Sequence, residues 1–198
     1  AEDAPWVAKL YLLIAEIAIV VLIDVFVVGR GGADGINAEP FLPENIFSGS
    51  LGVGLMMAMA GFIGFEATTV FRSEARDPDR TIPRATYIAV AVIGIFYTVS
   101  GWAVVEAWGT DSVLEEAVND PDNMIANTAR NYVGQWAGPV VQVLLLTSLF
   151  ACVLSFHNVL TRYQHAISHK RGLPKALRAV HLTYQSPSMS SIVQTVTI

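Results

Sequence analysis

Long apolar runs alternate with polar stretches along this chain, and the runs recur at lengths suited to one kind of surrounding. Val7 to Val28, Leu51 to Phe71, Ala85 to Val105 and Gly138 to Leu160 each hold about 20 residues, the number that crosses a hydrocarbon core of ~30 Å as a helix. Lipid offers no partner to a backbone N–H or C=O, so such segments must satisfy themselves as helices. The pattern predicts an all-α, polytopic membrane helix bundle, with residues 1–198 as a single transmembrane domain. Ser188 to Ile198 is too short to cross and reads as the start of a fifth span. A first span that begins almost at the amino end, without an initiating methionine, and a last span cut short are what a fragment would show.

The connections differ in kind. Gly29 to Ser50 carries Gly29, Gly31, Gly32, Gly35, Pro40 and Pro43 and is expected to be loop throughout. Arg72 to Arg84 is a compact loop in which Thr81 is expected to cap the third span and Pro83 to fall in its first turn. Glu106 to Ala137 is acidic, and DSVLEEAV and NMIANTARNYVG have helical spacing about a turn at Asn119 to Asp122, which predicts short surface helices.

The second run carries the candidate chemistry. At the middle of LGVGLMMAMAGFIGFEATTVF stand Gly61, Phe62, Ile63, Gly64, Phe65 and Glu66. Two glycines three apart weaken a helix, and a carboxylate beside them is costly in lipid. Carbonyls and N–H groups freed by unwinding survive at membrane depth only where they line a cavity or bind something. Discontinuous helices of this kind form midplane substrate sites in secondary transporters. The same Gly-x-x-Gly spacing also serves close helix packing, and the residues alone leave both readings open. Glu66, ~22 Å along a helix from Leu51, is a candidate for coupling or gating, with a structural hydrogen bond as its alternative. Glu16 inside the first span and His157 near the end of the fourth pose the same choice between binding a coupling proton and simple packing.

Composition agrees with this reading: 53% hydrophobic and 15% charged, against about 25% charged in soluble domains, with a mean hydropathy of +0.49. The net charge of −5 identifies no partner, because the charges are sorted by loop, and no nucleic acid is expected. Cys152 is the only cysteine and lies in an apolar run, which excludes a disulfide framework and a thiolate metal site. Ala1 to Pro5 lacks the basic region of a secretory signal. No metal or cofactor is expected.

Gly64-Phe65-Glu66, Glu74, Asp77-Pro78-Asp79-Arg80 and Ile82-Pro83-Arg84 follow in order within Gly61 to Val90. This succession resembles the sixth helix and following loop of the amino acid–polyamine–organocation (APC) permeases. His157-Asn158, Arg162-Tyr163 and Gly172-Leu173-Pro174 resemble that family's eighth helix and its exit, and HLTYQSP its approach to the ninth. The resemblance covers about Val7 to Ile198, as helices five to eight and the start of nine in a LeuT-like fold of two inverted five-helix repeats.

It implies a secondary transporter of amino acids or related amines working by alternating access. Backbone carbonyls of Gly61 to Gly64 would receive the substrate ammonium, with Phe62 and Phe65 as pocket wall or gate. The substrate carboxylate would be held by the family's first helix, which is not in this sequence. Some family members carry a large aromatic just before the glycine break, where Ala60 stands here. Glu74, Arg76, Asp77 and Arg80 are expected as a cytoplasmic ion-pair network able to latch an inner gate, although exposed pairs contribute only ~0–1 kcal/mol each.

Arg72, Arg76, Arg80 and Arg84 share one loop, and Arg162, Lys170, Arg171, Lys175 and Arg178 lie in the other loop of the same face, whereas the opposite loops hold only Arg30 and Arg130. Loops 72–84 and 161–186 are therefore expected in the cytoplasm, in a multi-pass protein of the plasma membrane. The expected partners are the lipid bilayer, a small amino acid or amine, and a coupling proton or exchanged solute. Two other classes fit less well. A channel or non-transporting membrane subunit would show a repeated filter or charged ring if it conducted, and an intramembrane enzyme would need a catalytic spacing such as His-Glu-x-x-His, which Glu16 and Asp24 do not make.

Overall fold

The structure, a computed structural model, describes residues 5–65, 67–70, 75–169, 172–181 and 186–197. Its helices are α1 (Pro5–Arg30), α2 (Pro43–Ile46), α3 (Leu51–Ala60), α4 (Ala67–Val70), α5 (Pro78–Trp108), α6 (Val113–Asn119), α7 (Met124–Tyr132), α8 (Ala137–His169) and α9 (Ser188–Thr197). Among the described residues, the only β pairing is an isolated bridge between Val180 and Pro187. α1, α5 and α8 are long and apolar enough to cross a membrane, extending about 39, 46 and 50 Å at 1.5 Å per residue. The protein is an all-α integral membrane protein.

Helix ends depart from the sequence expectation in an instructive way. α5 begins at Pro78 rather than at Ala85, because proline at a first helical position lacks only a donor that would be idle there. The Thr81 N–H donates to the Asp77 carbonyl at 2.9 Å, so the first turn closes on Asp77. Thr81 is thus not a cap, and Pro83 lies inside the helix. α8 continues past Leu160 to His169, since no glycine or proline interrupts the chain from Val140 to Arg171. The segment expected as loop between α1 and α3 contains α2 and a 3₁₀ turn at Glu39–Phe41, each with a proline in its first two positions.

The described chain forms two compact units, Ala1–Phe62 with Ala91–Ser148, and Ile63–Val90 with Leu149–Ile198. In the first unit the core consists of Ile23, Val27, Ala107, Ala126, Ala129, Ala137 and Val141. Four alanines in that set let the helix backbones approach closely, as membrane helices do in the absence of a hydrophobic drive between them. Polar groups inside this core are bonded. Trp108 Nε1 donates to Thr128 Oγ1 at 2.8 Å, and the Tyr132 hydroxyl donates to the Ala107 carbonyl at 2.8 Å. Burial pushes the Tyr132 phenol above its ordinary value, and the Asp34 carboxylate adds to the rise while Arg30 opposes it.

The ends of α1 and α5 are tied together. Gly32, at φ +65°, donates to Val27 O at 3.0 Å, and the next N–H, of Ala33, donates to Glu106 O at 2.8 Å. A Cβ on Gly32 would stand 2.6 Å from that same carbonyl oxygen. Glu106, expected in a solvated loop, is only 4% exposed. Its carboxylate accepts the Asn37 N–H at 3.1 Å, and Trp102 Nε1 donates to the Asn37 carbonyl at 3.0 Å.

The second unit packs through polar contacts. Ser168 and Ser190 are fully buried, and Ser190 Oγ donates to Leu177 O at 2.9 Å. Gln164 Nε2 donates to Gln194 Oε1 at 2.6 Å, joining α8 to α9. Arg178 donates to Ser168 O from Nε at 2.9 Å and Nη2 at 2.6 Å, supplying positive charge at the carbonyl end of α8.

Candidate functional site

The apolar stretch that begins at Leu51 does not cross as one helix. α3 ends at Ala60, residues 61–65 form a turn, and α4 starts at Ala67. The ten residues of α3 cover about 15 Å, half of a bilayer core. The ladder tightens before it stops, with the Gly61 N–H shared between Met57 O and Ala58 O at 3.2 Å each and the Phe62 N–H on Met59 O at 3.1 Å. Such three-residue bonds are common where a helix ends. Gly64 then takes φ +104°, a conformation that strains any residue with a Cβ.

Each side of the turn is held by its own neighbours. Within the first unit, Gly61 faces Tyr97 of α5, and a Cβ at Gly61 would lie 3.1 Å from the ring carbon Cε2. The Phe62 and Tyr97 rings meet edge to face with centroids 6.4 Å apart, a favourable aromatic geometry. The tip of Phe62 also lies beside Gly94, one turn earlier on α5, where an added Cβ would meet it at an ordinary contact distance of 3.6 Å. Within the second unit, the Thr68 and Thr86 hydroxyls lie 2.8 Å apart, Thr86 Oγ1 donates to Ile82 O at 2.9 Å, and Thr68 Oγ1 lies 3.2 Å from Phe65 O. With one proton per hydroxyl, Thr86 serves Ile82 and Thr68 serves Thr86 or Phe65. Phe62 and Gly64 are half-buried, while Ile63 and Phe65 are exposed.

The other sequence candidates are dispersed. Glu16 lies half-buried in α1, with Thr147 Oγ1 3.5 Å from its Oε1. His157 is half-buried in α8, its Nε2 3.0 Å from Ser191 Oγ of α9. Glu66 and Glu74 lie outside the described residues. Arg76, Asp77 and Arg80 are exposed, and no ion pair joins them to one another among the described residues. No group of three metal-ligating side chains occurs among the described residues. Sequence reasoning missed Tyr97 and Gly94, whose three-residue spacing puts both on one helical face, and it missed that Asp24 accepts the Ser100 hydroxyl of α5 at 2.7 Å.

Comparison with known proteins adds a family and relatives. A family model described as "Amino acid permease" matches residues 3–197. An uncharacterized transporter of Mycobacterium tuberculosis is 26% identical over 97% of this chain and 42% of its own length. A probable GABA permease of Pseudomonas aeruginosa is 36% identical over 90% of this chain and 38% of its own. A cadaverine/lysine antiporter of Escherichia coli is 29% identical over 51% of this chain and 21% of its own. This chain therefore spans about two fifths or less of these relatives. Their names are those of transporters, not enzymes. No solved structure matches the chain significantly.

Proposed function

The chain belongs to the amino acid permease family, and we propose that it serves secondary active transport of amino acids or related amines, by alternating access, with solute bound at the interrupted second span. The observation that carries this reading is the turn at residues 61–65 between α3 and α4, in a stretch apolar enough for lipid. Backbone irregularity at membrane depth calls for a cavity or a ligand. Carbonyls of Gly61 to Phe65 bind the ammonium of the solute, and Phe62 and Phe65 bound the pocket. The solute class follows from the names of the relatives, a GABA permease and a cadaverine/lysine antiporter.

Glu66, Glu16 and His157 are the candidates for coupling or gating, by a proton or an exchanged solute. In this reading Glu74, Arg76, Asp77 and Arg80 lie on the cytoplasmic side of the plasma membrane, and a latch there runs through Glu74, since no ion pair joins Arg76, Asp77 and Arg80 to one another among the described residues. The test is uptake of a labelled panel of amino acids and amines into proteoliposomes, with and without an imposed pH gradient. Saturable uptake of one class is expected, and a response to the gradient separates proton coupling from exchange. No uptake of any member by protein that is monodisperse and folded overturns the reading. Glu66→Gln is expected to slow uptake more than it lowers protein abundance, and equal losses would return Glu66 to a structural role.

A further inference from the structure

Away from the interrupted span, the first unit holds a cavity of about 450 Å³ lined by α1, the α6–α7 turn and α8. That volume falls within the ~300–1,000 Å³ of small-molecule sites. Much of its wall is apolar, including Ile19 of α1 and Leu145 of α8, and its polar groups include Glu16, Asp122, Gln142 and Ser148. Two of these are carboxylates, and no lysine, arginine or histidine among the described residues lines the space.

The surroundings of Glu16 offer its carboxylate one long contact from a donor among the described residues. Thr147 Oγ1 is 3.5 Å from Glu16 Oε1 but 2.9 Å from Leu144 O. A hydroxyl has one proton, and the shorter bond to the carbonyl takes it. Gln142 Nε2 is engaged by Asn123 Oδ1 at 3.1 Å. Asp122 adds a second negative charge instead of compensating the first. An ionised carboxylate half-buried on a membrane-length helix needs a counter-charge.

We propose that this cavity binds a small organic cation, its ammonium seated at Glu16 and its aliphatic body against Ile19 and Leu145. Asp122 adds to the attraction. A bare metal ion fits poorly, since hard cations take six or more oxygen ligands and much of this wall is apolar. The site shares Glu16 with the proposed coupling candidates but is built by α1, the α6–α7 turn and α8 and includes no residue of the interrupted span, so binding there is read separately from transport.

The test places a thiol in the cavity by Ser148→Cys, in protein whose exposed Cys152 is changed by Cys152→Ser, reconstituted in nanodiscs. Modification rates are compared for a cationic and an anionic methanethiosulfonate of matched size, with n-butylammonium or 1-butanol as competitor. The cationic reagent is expected to react about tenfold faster than the anionic one, equivalent to about 1.4 kcal/mol of local attraction. n-Butylammonium slows the reaction, and 1-butanol leaves it unchanged. Glu16→Gln removes both the charge preference and the protection, Asp122→Asn reduces them, and Glu16→Asp, which keeps the charge, retains them. A thiol that does not react, equal rates for the two reagents, equal protection by 1-butanol, or loss of the preference in Glu16→Asp overturns the proposal.

Discussion

One added methyl at Gly64 should change stability in opposite directions depending on whether the second span is broken. In a continuous helix, Gly→Ala stabilises by ~0.5–1 kcal/mol through lower backbone entropy in the unfolded chain. At φ +104° an L residue is instead strained, by about 1–2 kcal/mol. Space is not the issue, because the nearest heavy atom to an added Cβ is Phe156 Cζ at 4.0 Å. The two cases therefore differ by roughly 1.5–3 kcal/mol. For a domain of this size one kcal/mol moves the Tm by about 2–4 °C, so Gly64→Ala is expected to lower the Tm by about 2–8 °C. Gly54 is the control: it lies inside α3 with nothing within 4 Å of an added Cβ, and Gly54→Ala should raise the Tm. Gly61→Ala separates crowding from strain, since Gly61 has an ordinary helical φ of −63° but faces Tyr97. Tyr97→Leu should rescue Gly61→Ala and leave Gly64→Ala unrescued, a coupling of about 0.5–1 kcal/mol for residues in contact. Thermal unfolding of purified protein in detergent reads all of these, and a rise in Tm for Gly64→Ala alongside Gly54→Ala would refute the break.

Gly32→Ala combines φ +65° with a Cβ 2.6 Å from a backbone oxygen, so it should cost more than about 2 kcal/mol and exceed the loss from Gly31→Ala, where only backbone strain applies; thermal unfolding of the two variants side by side checks the order. Trp108→Phe removes the donor to Thr128, a fully buried group, and should cost about 1–3 kcal/mol by the same measurement. Tyr132 holds its proton more tightly in the folded protein, so its contribution is complete below the unfolded value near 10 and is lost as pH rises through the higher folded value. Tyr132→Phe should flatten that alkaline fall, which a series of melts from about pH 8 to about pH 11.5, bracketing the unfolded value, would reveal.

The three long apolar helices α1, α5 and α8 were legible because a bilayer imposes a length that an apolar run either meets or does not. Their ends were not, since apolarity marks where lipid stops and helix propensity continues past it. Asp77-Pro78 starts α5 and His169 ends α8, both among polar residues. Glu106 was misplaced for the opposite reason. A carboxylate at the end of an apolar run is usually solvated, and only the return of the chain through Ala33 and Asn37 shuts this one away from water. Tyr97 carries no mark in its own run, because its role depends on which residue of α3 it meets. The cavity at Glu16 likewise draws on residues as distant as Asp122 and Gln142, and no local pattern joins them.

The two glycines at the centre of the second span expose the limit of a motif. Gly-x-x-Gly reads from sequence as either close packing or a break, and the structure assigns one role to each residue. Gly61 keeps helical dihedrals and admits the Tyr97 ring to within contact of its backbone. A Cβ added at Gly64 would meet no heavy atom nearer than Phe156 Cζ at 4.0 Å, and the residue turns the chain through positive φ. A methyl at the first is a packing fault that a smaller partner can relieve, and a methyl at the second is a torsional fault that no neighbour can relieve. Packing holds the end of α3 in place, and torsion stops the helix from continuing. An interrupted helix in lipid needs both, because an end that is free to turn but not held would let the next residues rejoin the ladder and satisfy their backbone groups within one helix.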